Sequence, residues 1–330
     1  LLAQRESESI AGVKSESVTF SEFAERWLTE YAAAHVKPRT LDDYKLAVSF
    51  HLSPFFGKLT LRDLSPERID AFKAQKLREG KPPATINKLL TILGSILKRA
   101  VVWRYVRENP VQYVERVKQV RPEMDYLTPD EIRRLLEASD DEYRPLFATA
   151  ILTGARQGEI LALKWSDYDP VRRVLFIRRA FHPVYGFTEP KSAAGRRAIN
   201  VSPELAAILE DHRVRTCGEV DDLIFANGAG NPIDGTNLLR QRFHPTLARA
   251  GLRRIRFHDS RHTNVALRIA VGENMKSIQA QLGHASITTT LDRYGHLLPQ
   301  ASEGSAERLD ALIFDSNVVT FPAVKTASQD

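Results

Sequence analysis

At 330 residues the chain is long enough for two domains, each with its own core, and a net charge of +6 with a pI near 9.4 admits a polyanionic partner without requiring one. Its one cysteine, Cys217, excludes an internal disulfide framework and any cysteine-rich zinc site, and fits a reducing, cytoplasmic setting. No apolar run approaches the roughly 20 residues of a membrane span, and the first residues carry no secretory-signal pattern.

Residues 1–17 are polar and mixed in charge, with Glu6-Ser7-Glu8-Ser9 the clearest run, and read as a flexible tail or the end of a linker. Helical signals then follow closely. Thr19 and Glu22 are spaced as a capping box, and Phe20, Phe23, Trp27 and Tyr31 fall on one helical face. After Lys37-Pro38, Thr40 and Asp43 are spaced as a second cap, ahead of the stripe Leu41, Tyr44, Val48 and Leu52. Ser65-Pro66 opens a third helix that Gly80 closes, and a fourth over 84–103 carries Ile86, Leu89, Leu93, Ile96 and Ala100. Four helices predict a small all-helical domain over 18–110, with the apolar stripes as its core. The polar groups Lys37, Arg39, Thr40, Lys45, Lys88, Lys98 and Arg99 are either contacts to a polyanionic partner or a solvated face.

Residues 111–125 mix charges without periodicity, carry Pro122, and are predicted as the linker. A cap at Thr128-Pro129-Asp130-Glu131 opens the second domain, 126–314. Helices are expected over 131–138 and 143–152, then a small sheet in which 184–188 and 197–201 flank a hairpin holding Pro190-Lys191-Ser192. Ser202-Pro203 caps another helix, and further helices are expected over 237–250, 258–270, 275–282 and 286–294. A short amphipathic helix over 305–314 precedes a polar tail, 315–330. The fold class is therefore mainly α with a small antiparallel β-sheet, in two domains.

The chemistry-bearing residues concentrate late. His258-Asp259-Ser260-Arg261-His262, Leu282-Gly283-His284 and Thr290-Leu291-Asp292-Arg293-Tyr294-Gly295-His296 supply imidazoles, a guanidinium and a phenol. Upstream, Thr153-Gly154-Ala155-Arg156-Gln157-Gly158-Glu159 supplies a second arginine in a compact turn. His258 and Arg261, three apart, share a helix face. His258 and His262, four apart, also match a zinc-binding helix, but Asp259 stands where a zinc protease carries glutamate and no third ligand has a familiar spacing. No metal site is assigned. Gly228-Ala229-Gly230 precedes Asn231-Pro232 and reads as a turn, so no glycine-rich phosphate loop is present.

Arg156, Lys191, His258, Arg261, His284 and Tyr294, in this order and with these motifs around them, resemble the tyrosine recombinases, the phage-integrase family of site-specific DNA recombinases. The catalytic resemblance covers about 127–296, and a weaker one covers the helical region, which would be the SAM-like core-binding domain. It implies attack by the Tyr294 phenol on a DNA phosphorus, giving a 3'-phosphotyrosine and a free 5'-hydroxyl, with integration or excision of a phage or mobile element. Arg156 and Arg261 would clamp the non-bridging oxygens, and His258 would be general base or acid. Lys191 would protonate the leaving 5'-oxygen, His284 would bond the phosphate, and Glu159 would support Arg156 or His258. Arg196 and Arg197 would contact DNA beside Lys191, and His262 would be packing.

No cofactor is implied, since the phosphotyrosine conserves the bond energy. The implied partners are double-stranded DNA and three further protomers, a homotetramer on two DNA sites, with a DNA-bending accessory protein as an open addition. The 305–314 helix would dock on a neighbouring protomer or on its own domain. Leu1 leaves room for an arm-type DNA-binding domain upstream. A chromosome-dimer resolving recombinase, a topoisomerase with the same 3' linkage, and a non-catalytic DNA-binding protein of the same fold are the alternatives.

Overall fold

The computed structural model describes residues 17–119, 124–190, 193–283 and 286–295. The chain divides into the units Leu1–Pro122 and Glu123–Asp330, and each has an apolar core of its own.

In the first unit Thr19 caps α1 (Phe20–Arg26) through the capping box with Glu22. The helix continues through a π-wound stretch, Trp27–Ala32, so Phe20, Phe23 and Trp27 all face the core. α2 (Pro38–Ala47) starts earlier than its Thr40 spacing suggests. Pro38 occupies the first turn and Lys37 the cap, which leaves Thr40 and Asp43 inside the helix. Ser65 caps α3 (Pro66–Arg78), and Gly80 stands beyond its end at φ +70°. α4 (Pro83–Val102) buries Ile86, Leu89, Leu93, Ile96 and Ala100. Part of the expected linker belongs to this unit. Val111 and Val114 enter its core, and the Asn87 side chain clamps Val117, donating to its carbonyl at 2.8 Å and accepting from its N–H at 2.9 Å.

The second unit opens on α5 (Pro129–Glu137), capped by the Thr128–Glu131 box. α6 (Arg144–Thr153) is buried along nearly its whole length and forms the centre of the unit. A short α7 (Gln157–Ile160) follows, then β1 (Tyr168–Asp169), β2 (Val174–Ile177), β3 (Ala180–His182), β4 (Gly186–Thr188) and β5 (Arg197–Asn200). These make two antiparallel sheets rather than one, β1-β2-β5 and β3-β4. β4 and β5, expected to flank a hairpin at Lys191, do not pair with each other. Gly186, at φ +67°, turns the chain so tightly that β4 pairs with β3, Phe181 opposite Phe187. β5 instead pairs with β2, which sets buried Ile199 opposite buried Leu175 over the core.

Ser202 caps α8 (Pro203–Thr216), and one helical run from Gly235 ends in α9 (His244–Arg249). α10 (Asp259–Ala270) takes His258 as its cap, and α11 (Met275–Leu282) and α12 (Ile287–Tyr294) follow. α6 packs against α8 and α10. Asn227 and Asn231 close the turn that holds Gly228 to Gly230. Lys191, His284, His296, nearly all of the tail over 1–17 and the helix expected over 305–314 lie outside the described residues. Among the described residues no helix is long and apolar enough to cross a membrane.

Candidate active site

The site begins where α6 ends. Gly154 is left-handed at φ +64°, and a Cβ there would stand 2.9 Å from Asn264 Oδ1, so glycine is required on both counts. This turn aims the Gly154 carbonyl at Arg261, whose Nη1 donates to it at 2.7 Å. Arg156 then caps α7. The Glu159 carboxylate accepts from the Arg156 backbone N–H at 2.8 Å and from its Nη1 at 2.8 Å. Glu159 is 4% exposed and also accepts from Arg197 Nη2 at 2.8 Å and Nη1 at 3.2 Å. Burial works against its charge, but the bonds and charge of Arg197, joined by those of Arg156, prevail and hold its pKa at about 2.

Arg197 therefore does not face outward as a DNA contact. Its side chain is 5% exposed, with Nε donating to the Gln281 carbonyl at 2.5 Å and Nη1 to that of Gly195 at 3.1 Å. Arg196, one residue earlier, is exposed and pairs with Glu189 at 2.6 Å.

Arg261 is 2% exposed, and its Nη2 donates to the Leu282 carbonyl at 2.6 Å. Arg197 and Arg261 thus satisfy two of the last carbonyls of α11, which would otherwise be orphaned at the helix end. Gly283 follows at φ +66°, where a Cβ would stand 2.6 Å from the Ala194 carbonyl oxygen. Burial, then Arg156 and Arg197, push the Arg261 pKa down to about 9, which leaves it charged at neutral pH. Among the described residues Arg156, Arg197 and Arg261 are gathered around the one carboxylate of Glu159, so the cluster is electropositive and suited to an anion with non-bridging oxygens.

His258 reaches solvent at the cap of α10. Partial desolvation of its ring, then the charges of Arg261, Arg293 and Arg156, lower its pKa and keep it neutral at pH 7. Tyr294, on the last turn of α12, is 1% exposed, and its Oη lies 2.6 Å from His262 Nδ1. Burial raises the Tyr294 pKa, and Arg261 and Arg293 offset part of the rise. Packing alone is thus an incomplete account of His262. Its sequence signal was its place beside Arg261 and one turn after His258. The two histidine rings meet edge-on at 5.3 Å, and among the described residues no group of three or more His, Cys, Asp or Glu is arranged to hold a metal.

In the first unit Lys37, Arg39, Lys45 and Lys98 are exposed, and Thr40 is half-buried. Lys88 pairs with Asp43 at 2.9 Å, and the Arg99 guanidinium lies 3.5 Å from the centre of the Tyr31 ring.

Residues 125–301 match the phage integrase family, and residues 19–77 match the phage integrase N-terminal SAM-like domain. The ICEBs1 integrase of Bacillus subtilis is 26% identical over 328 residues, covering 94% of this chain and 88% of that protein. Among solved structures, the Tn1549 transposon integrase in complex with a circular intermediate DNA superposes with a TM-score of 0.77 at 19% identity, over 89% of this chain and all of the other. A lambda integrase tetramer bound to a Holliday junction gives 0.64 at 21% identity, over 87% and 82% of the two chains. With a match that spans the whole cluster from Arg156 to Tyr294, the chain belongs to the phage integrase family and is an enzyme, an integrase-like site-specific DNA recombinase of the tyrosine class.

Proposed function

We propose that Tyr294 cleaves duplex DNA by transesterification. Its Oη attacks a phosphorus, a 3'-phosphotyrosine forms, and the 5'-oxygen departs as a hydroxyl. The observation that carries this reading is the buried tyrosine beside an arginine cluster that, among the described residues, outnumbers its carboxylates. Arg156 and Arg261 hold the non-bridging oxygens, whose charge grows in the pentacoordinate transition state. Glu159 positions Arg156 for that task. Lys191 protonates the leaving 5'-oxygen, His284 bonds the phosphate, and His258 exchanges protons at the rim of the site.

Four protomers act around two DNA sites in the cytoplasm, since one active site cuts one strand and exchange of two duplexes takes four cuts. The tetramer in the lambda integrase complex supports that stoichiometry. Lys37, Arg39, Lys45, Lys98 and Arg196 contact DNA phosphates, with Thr40, Lys88 and Arg99 beside them, which orients the protein without reading sequence.

The test is covalent trapping in EDTA without ATP, with nicked duplexes from the DNA flanking the gene. Wild type should give a protein–DNA adduct that survives denaturant, and Tyr294→Phe should bind DNA without forming one. An adduct that persists in Tyr294→Phe identifies a different nucleophile.

A further inference from the structure

We propose that His262 is the proton acceptor for the Tyr294 nucleophile. The assignment rests on Tyr294 as the attacking residue and adds the group that activates it. The contact is direct, 2.6 Å between Nδ1 and Oη, and both residues are buried, which keeps bulk water from the oxygen. The surrounding charge orients it. Asp259 Oδ1 stands 3.9 Å from His262 Nε2, which favours the imidazole proton on that nitrogen and leaves Nδ1 bare towards the phenol. The tyrosine hydroxyl then donates.

Among the described residues, the titratable and charged groups facing His262 besides Tyr294 are His258, Asp259, Arg293 and Arg256. Burial, then His258, lower the His262 pKa to about 4, so the ring is neutral and able to accept at pH 7. Its low basicity makes proton transfer part of the attack rather than a step before it.

In that step the Oη–H bond breaks as the Oη–P bond forms, and the proton moves to Nδ1. The P–O5' bond breaks with its electron pair on the leaving oxygen, which takes a proton from Lys191. Religation runs in reverse: the 5'-hydroxyl gives its proton to Lys191 as it attacks phosphorus, the P–Oη bond breaks, and His262 returns its proton to the departing phenolate.

The experiment compares initial rates of adduct formation for full-length wild type, His262→Ala and His258→Ala. Each carries either tyrosine or the more acidic 3,5-difluorotyrosine at position 294. DNA affinity and thermal melting are followed as controls. His262→Ala should slow adduct formation by about 100-fold or more with DNA affinity retained. Difluorotyrosine should recover most of that loss, because a more acidic phenol needs less help from a base. If His262→Ala melts below the assay temperature, His262→Gln, which keeps bulk without comparable basicity, carries the same comparison. A wild-type rate in either variant overturns the proposal, and so does a loss that difluorotyrosine leaves unchanged, the mark of a packing role. Rescue confined to His258→Ala assigns the proton to His258 instead. An adduct in Tyr294→Phe overturns the choice of nucleophile, and this proposal with it.

Discussion

Glu159 sits between two guanidinium groups, one half-exposed and one buried, and each would be misplaced without it. Replacing it with glutamine leaves Arg197 charged and unpaired inside the protein. We expect Glu159→Gln to cost about 3–5 kcal/mol in urea unfolding and to slow cleavage, because Arg156 loses its partner. The same carboxylate makes the fold acid-sensitive. Its pKa is held near 2 against an ordinary 4.5, so its stabilisation is complete above pH 4.5 and is lost as pH falls from there towards 2. His262 acts in a higher window. Its pKa in the folded chain is about 4 against 6.5, so the unfolded chain takes up the proton first and stability declines as pH falls from 6.5 to 4. Each window is worth about 3 kcal/mol. Urea midpoints measured against pH should show both, with Glu159→Gln flattening the lower and His262→Gln the upper.

The end of α11 shows how an element becomes part of a site. A Leu-Gly-His sequence is legible as a helix stop from the glycine alone. That Arg197 and Arg261 cap the carbonyls of Gln281 and Leu282 is not, because both donors come from distant elements. The turn at Gly283 is thus tied to the β5 arginine and to the α10 arginine. Gly283→Ala should lower thermal stability by about 1–3 kcal/mol from its left-handed backbone, before the contact with the Ala194 carbonyl is relieved. Adduct formation should fall with it. If both the melting temperature and the cleavage rate stay at wild-type values, the turn is not the constraint we describe.

Two separate cores imply two separable stabilities. Phe72 packs among Phe55 and Phe56 in the first unit, with ring centres 5.1 to 5.3 Å apart. Phe72→Ala should remove about 3–5 kcal/mol from that unit. Calorimetry should then show one transition shifted down while the transition of residues 124–295 stays in place. A single transition that moves as a whole would show that the units unfold together.

Much of this protein was decided by short-range information. Caps at Thr19, Ser65, Thr128 and Ser202, the apolar stripes of α1 and α4, and the order of Arg156, His258, Arg261 and Tyr294 are all readable, because each depends on residues a few positions apart or on sequence order. The tertiary structure decided which distant groups meet. It paired β5 with β2 rather than β4, drew Val111 and Val114 into a core, turned Arg197 inward, and set His262 on Tyr294, 32 residues away. The physical reason is that local spacing selects a helix or a cap through bonds within one or two turns. The partner of a buried charge or phenol depends on how the whole chain closes around it.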